Sequence, residues 1–199
     1  MIIKVCGITN AEDARAAIDD GATAIGFNFY PRSPRYIAPE TAAAIDTRGV
    51  RRIGVFVNES PARIAEIARI AALDTAQLHG DESPSDYPAQ LSVWKAARVA
   101  AGFSLAPYTG APAEALLLDG PAGELYGGTG VAFDWSVAAV TGLRIILAGG
   151  LDAENVARAV AVAHPWGVDA CSRIESSPGI KDHNKMRLYL KAARAALLA

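Results

Sequence analysis

Cys6 and Asp119 each close a short, mostly apolar run, Ile-Ile-Lys-Val-Cys and Ala-Leu-Leu-Leu-Asp, and each is able to move a proton. A carboxylate ending an all-leucine run is a poor choice for stability, because an unpaired buried charge is costly. Asp119 therefore reads as a loop hydrogen bond or N-cap, or as an acid. Cys6 reads as a small buried hydrophobe, or as a base. Lys4 favours the base: side chains alternate along a strand, so its ammonium lies on the face of Cys6 and stabilises a thiolate. An acid and a base facing one substrate are the equipment of a sugar-phosphate isomerase.

An anion site is legible further on. Residues 143–156, L-R-I-I-L-A-G-G-L-D-A-E-N-V, pass from an apolar strand through Gly149 and Gly150 to Asp152, an N-cap type. Lacking Cβ atoms, the glycines reach positive φ and let an anion approach the free N–H groups of a helix start. A tight turn without a ligand is the competing reading. The loop Y-G-G-T-G at 126–130, with Gly128 at its centre, either lets amides reach a phosphate or is a flexible connection. Arg35, in a loop stiffened by Pro31 and Pro34, is either a solvated arginine or a held guanidinium suited to bidentate carboxylate binding. His79, in Q-L-H-G, reads as a hydrogen-bonded rim residue ahead of a catalyst. Asp169 alternates with Cys171, so if the first and last strands are neighbours, Lys4 and Asp169 face each other.

These residues need a frame that gathers them. Apolar runs predict strands at 2–6, 24–29, 52–57, 75–78, 93–98, 115–119, 145–148 and 168–171,. Helical patterns fall between and after them at 11–20, 39–47, 62–72, 83–91, 134–140, 152–164 and 182–198. Residues 99–112 are rich in glycine and proline and too short for a full helix, so the fifth unit should carry an irregular or shortened one. Strict alternation forces parallel strands with right-handed crossovers, and eight units close a (β/α)8 TIM barrel, an α/β fold forming a single domain over residues 1–199. The rival is an open doubly wound sheet, which carries its phosphate glycines after the first strand, whereas here the pair follows the seventh. In a barrel the carboxyl ends of strands form one rim, which puts Cys6, Asn28, Gln77, His79, Asp119, Gly149, Gly150 and residues 169–173 at the mouth.

Composition narrows the partner. The chain has 199 residues, 51% of them hydrophobic, and a formal net charge of −2 with its 19 basic residues scattered. That gives no footprint for nucleic acid or for an anionic membrane, and a small-molecule substrate is expected. No stretch approaches the length of a membrane span and no basic-then-apolar leader opens the chain, so a cytoplasmic protein, monomer or homodimer, is expected. Cys6 and Cys171 are then free thiols. His79, His164 and His183 lack metal-ligand spacing, and no metal is expected.

Taken in order, K-V-C-G-I-T at 4–9, G-F-N-F-Y-P-R-S-P-R-Y-I at 26–37, V-F-V-N at 55–58, Q-L-H-G at 77–80, L-L-L-D-G at 116–120, Y-G-G-T-G, F-D-W, L-A-G-G-L and S-P-G-I-K-D are similar to the motifs of one family. Over nearly its whole length the chain resembles the phosphoribosylanthranilate isomerases of tryptophan biosynthesis. The resemblance implies an Amadori rearrangement of N-(5-phosphoribosyl)anthranilate to 1-(2-carboxyphenylamino)-1-deoxyribulose 5-phosphate, with neither redox cofactor nor metal. It implies that Cys6 is the general base taking the C2 proton of the ring-opened imine and that Asp119 is the general acid protonating the ribose ring oxygen. Arg35 would face the anthranilate carboxylate, with Asp169 and His79 also lining the substrate. Gly149 and Gly150, with Gly128, Ser172 and Arg173 in the loops after strands six and eight, would hold the phosphate. One departure stands out: the family's Ser-Ser-Gly after strand eight is Cys171, Ser172 and Arg173 here. Two alternatives remain, a dual-substrate isomerase also serving histidine synthesis and a phosphate-binding barrel without turnover. The first would have two similar halves and an aspartate in place of Cys6; the second would not need both Cys6 and Asp119.

Overall fold

The computed structural model describes residues 1–120, 133–139 and 142–199. Its parallel strands are β1 (Ile2–Cys6), β2 (Ala24–Asn28), β3 (Arg51–Phe56), β4 (Thr75–Leu78), β5 (Ser92–Arg98), β6 (Ala115–Asp119), β7 (Ile145–Leu147) and β8 (Gly167–Ala170). They close a barrel in chain order, with β1 hydrogen-bonded to both β2 and β8. Every residue of β1, β4, β6 and β8 is buried, as parallel strands covered on both faces require,. The fold is the (β/α)8 barrel that the alternation predicts.

The amino end of the barrel is plugged. Arg51 forks onto Glu114 at 3.2 and 2.5 Å, Trp94 Nε1 donates to the same carboxylate at 3.0 Å, and Ser92 donates to it as well. The Arg51 guanidinium lies 5.2 Å over Trp94, which meets Trp166 edge-on. Above this plug a small apolar cluster that includes Ile53, Leu117 and Ile146 fills the interior.

Outside the ring lie α1 (Ala11–Asp19), α2 (Pro39–Ala43), α3 (Pro61–Ile70), α4 (Val156–Ala163) and α5 (His183–Leu198). Asn10, Ser60 and Asp182 cap α1, α3 and α5 by accepting backbone N–H bonds, each a residue type suited to that task,. Several expected helices are shorter or differently placed. The one expected over 39–47 stops at Ala43, because the carbonyls that would continue it go to Arg52: Nη2 donates to Ala42 O at 2.6 Å and Nη1 to Ile45 O at 2.8 Å,. The one expected over 83–91 is a single 3-10 turn, Pro84–Asp86. Pro88 holds Tyr87 extended at ψ 131° and stops it,. The 134–140 segment is likewise one 3-10 turn, Trp135–Ala138. The fifth unit carries the 3-10 turn Ala106–Tyr108, an irregular connection as expected. The helix expected from residue 152 begins at Val156, since Asp152 instead caps a preceding turn through Glu154 N and Asn155 N. Past β8 the chain adds an unforeseen antiparallel pair, β9 (Glu175–Ser177) and β10 (Ile180–Lys181).

Candidate active site

Three groups of side chains meet at the carboxyl end of the barrel. The first spans β1 and β8. Their register pairs Lys4 with Asp169, and Lys4 Nζ donates to Asp169 Oδ2 at 2.7 Å with the lysine wholly buried. Cys6 lies one alternation higher on β1, and Cys171 directly follows the neighbouring β8. A Cβ on Gly26 would come within 2.9 Å of both Cys6 Sγ and Lys4 Cε, so β2 needs a glycine there to admit this pair.

The charges in this group are linked. Burial disfavours the Lys4 ammonium, but Asp169 and Cys6 outweigh it and lift its pKa above the ordinary lysine range,. The hydrogen bond from Cys171 and, against the cost of burial, the nearby Lys4 charge hold the Cys6 thiol well below the usual cysteine value,. One ammonium thus serves two anions. Burial, opposed by Lys4 and reinforced by Cys6 and Asp119, pushes the Asp169 carboxyl up to about 7,.

The second group belongs to β4 and β6. Asp119 Oδ1 accepts the N–H of Gly120 at 2.8 Å, while Oδ2 lies 3.3 Å from His79 Nε2 without hydrogen-bond alignment. Gln77 Nε2 donates to His79 Nδ1 at 3.0 Å, which leaves the proton of the neutral ring on Nε2, facing Asp119,. His79 is thus a rim residue beside Asp119. Gly149 completes this corner: at φ +77°, a Cβ there would fall 2.3 Å from Gly120 N and 2.8 Å from Asp119 Oδ1.

The third group comes from the loops. Arg35 Nε and Nη2 fork onto Glu175 at 2.9 and 2.8 Å, and Lys181 Nζ reaches the same carboxylate at 2.9 Å. The stem of Arg35 crosses Gly7, where a Cβ would meet its Cδ at 2.8 Å and Cys171 Sγ at 3.0 Å. The bonds it donates to Glu175 hold the Arg35 guanidinium charged against its partial burial. Arg173 reaches Asp152 at 3.0 Å with more than half of its side chain exposed, so its guanidinium sits against the turn that follows Gly150. Ser172 opens the 3-10 turn Ser172–Ile174 beside it, and Gly150 takes φ +68°. Gly128 lies outside the described residues.

Among the described residues, five buried side-chain polar atoms lack a hydrogen-bond partner, and three of them are Gln77 Oε1, His79 Nε2 and Asp169 Oδ1. Buried polar atoms are nearly always satisfied, so a concentration at one barrel mouth marks surfaces meant for a polar ligand. Glu175, Lys181 and Gly26 escape the sequence reading. Glu175 lies 140 residues from Arg35, and only the unforeseen β9–β10 pair carries it back to the rim.

The chain's relatives agree on one activity. The family model described as N-(5'phosphoribosyl)anthranilate (PRA) isomerase matches residues 3–192. A curated relative from Solibacter usitatus, named N-(5'-phosphoribosyl)anthranilate isomerase, is 71% identical over 197 residues, 99% of each chain. The crystal structure of phosphoribosyl anthranilate isomerase from Thermus thermophilus superposes with a TM-score of 0.89 at 37% identity, covering 98% of this chain and 99% of that one. A phosphoribosyl anthranilate isomerase solved in complex with reduced 1-(o-carboxyphenylamino)-1-deoxyribulose 5-phosphate superposes at 0.82 with 36% identity, covering 98% and 100%.

Proposed function

The chain belongs to the N-(5'-phosphoribosyl)anthranilate isomerase family, and on that premise we propose an Amadori rearrangement in which Asp119 is the acid and Cys6 the base. The protein is an isomerase of tryptophan biosynthesis, converting N-(5'-phosphoribosyl)anthranilate to 1-(2-carboxyphenylamino)-1-deoxyribulose 5-phosphate. Asp119 protonates the ribose ring oxygen and the ring opens to an imine at C1. Cys6, as thiolate, takes the C2 proton, and the resulting enolamine tautomerises to the ketone. Neither step needs an electron acceptor.

What carries this division of labour is the location of Cys6 and Asp119 at the carboxyl ends of β1 and β6, strands that are not neighbours in the ring. Groups so separated can approach a bound sugar from different sides. Lys4 supports the thiolate, and the unpartnered Asp169 Oδ1 and Gln77 Oε1 are acceptors suited to substrate hydroxyls. Arg35 spends Nε and Nη2 on Glu175, which leaves its Nη1 edge for the anthranilate carboxylate,. Gly149, Gly150, Ser172 and Arg173, joined by Gly128, would grip the phosphate. Cytoplasmic location, a monomeric or homodimeric state and a single barrel domain over residues 1–199 belong to the same proposal.

Purified protein incubated with phosphoribosylanthranilate should abolish its anthranilate-type fluorescence, and should leave the histidine-pathway aminoaldose unchanged. Turnover of both would favour the dual-substrate reading, and turnover of neither a binding barrel. A cysteine where the dual enzyme would carry an aspartate speaks for the first outcome.

A further inference from the structure

The ends of β1 and β8 bring two thiols together at the mouth. Val5 pairs with Ala170 in the last rung of the parallel ladder, and Cys6 and Cys171 each follow that rung directly. Neighbouring strands lie roughly 4.8 Å apart, inside the Cα separation of about 4.4–6.8 Å that a disulfide spans. The thiols also act on each other, their interaction holding Cys6 well below and Cys171 well above the ordinary cysteine range. Gly7 makes the approach feasible, because a Cβ there would stand 3.0 Å from Cys171 Sγ. Cys6 is nearly enclosed, whereas Cys171 is partly exposed, so a small oxidant entering the mouth reaches the pair. Lys4 and Asp169 face the pair from below, and Lys181, Glu175 and Arg35 face it from the loops, with Lys181 Nζ 4.0 Å and Glu175 Oε1 3.9 Å from Cys171 Sγ. Lys4 and Lys181 favour the thiolate of Cys6, the form that reacts with peroxide, while Cys171 is held as the thiol,.

We propose that Cys6 and Cys171 form a peroxide-oxidisable dithiol, a modification site at which a reversible disulfide stops the isomerase. The Cys6 thiolate attacks one oxygen of hydrogen peroxide; an S–O bond forms, the O–O bond breaks, and the departing hydroxide takes a proton to leave as water. Cys6 is then a sulfenic acid. Cys171 gives up its proton and attacks the Cys6 sulfur; the S–S bond forms, the S–O bond breaks, and the second oxygen leaves as water. The two sulfurs have lost two electrons and the peroxide has gained them. A dithiol reductant reverses the change by thiol–disulfide exchange. The disulfide itself depends only on the two sulfurs, whereas the loss of activity rests on Cys6 being the base.

The full chain, reduced and freed of reductant, is treated with hydrogen peroxide, alkylated, and followed in parallel by intact mass and by isomerase assay. The expected result is a monomer lighter by two hydrogens, with neither cysteine alkylated. Activity is lost in step with that species and returns with dithiothreitol. The Cys171→Ser variant, given the same peroxide, should form no disulfide; its Cys6 gains oxygen and proceeds to the sulfinic acid, so the activity it loses does not return. Wild-type protein that loses activity by gaining oxygen, with no disulfide, would overturn the dithiol and leave Cys6 as the base. A disulfide formed with activity intact would overturn the shutdown and, with it, the role of Cys6.

Discussion

A lysine with no exposed surface persists only where anions surround it, and Lys4 has Asp169 and Cys6. That dependence runs both ways. Lys4→Met removes the cation that helps hold Cys6 ionised, so the acid limb of the kcat profile should move to higher pH, with activity partly recovered in alkali. The variant should still fold, because Asp169, already pushed to about 7 with burial the chief cause, then takes up a proton instead of remaining a bare buried charge,. An unmoved acid limb would remove Lys4 from the base. Cys6→Ser keeps the size but loses the ionisable thiol, and Asp119→Asn loses the proton to be donated; each should lower kcat by about 10²-fold or more. KM should move less in both, since the carboxylate and phosphate anchors remain. A variant with near-normal kcat would pass its role to His79. The strand-end places of Cys6 and Asp119 were legible because each closes an apolar run, and the meeting of Lys4 with Asp169 because parity and ring closure predict it. Glu175 was not legible, since nothing local to it announces that Arg35 will arrive.

At the scale of elements, the strands declared themselves as continuous apolar runs, but the connections did not. Whether residues 83–91 wind into a helix depended on Pro88, and whether α2 continued depended on the tertiary reach of Arg52. The turn after β7 packs against Asp119 and Gly120 and is also the place proposed for the phosphate. Gly149→Ala combines positive φ with a Cβ 2.3 Å from Gly120 N, backbone that cannot yield cheaply,. Both kcat and thermal stability should fall, and KM for the phosphorylated substrate should rise. Unchanged kinetics would separate this turn from the site. The amino-end plug supplies a pH test. Burial alone would raise the Glu114 carboxyl, yet Arg51, Ser92 and Trp94 together hold it at about 2, below its ordinary 4.5. A depressed folded value contributes stability that is present above about 4.5 and lost as pH falls toward 2,. The carboxylate is partly exposed, which tempers the size. Glu114→Gln should therefore have a flatter Tm against pH over that window than the wild-type protein, and parallel curves would deny the plug this role.

The whole molecule is a ring, and a ring fails as a unit. The proposed acid stands on β6 and the proposed base on β1, with Gln77 on β4 and Asp169 on β8, so no fraction of the barrel holds the whole of the proposed site. The seam between β1 and β8 is where the chain must close on itself, and α5 packs there against both α1 and α4. Met186, Tyr189, Leu190 and Ala193 form the buried face of that helix. Met186 is fully enclosed. Met186→Ala should cost about 2–5 kcal/mol, from lost burial and the cavity left behind. For a chain of this length each kcal/mol lowers Tm by roughly 2–4 °C. Met186 belongs to the outer core rather than to the mouth, so at temperatures well below Tm the variant should keep the kcat and KM of the parent. On heating, its far-UV circular dichroism and its isomerase activity should be lost together, at one lowered temperature. Activity that disappears well before the dichroism would mean that α5 and the seam open first, leaving most of the strands intact, and the ring would then not be one cooperative unit.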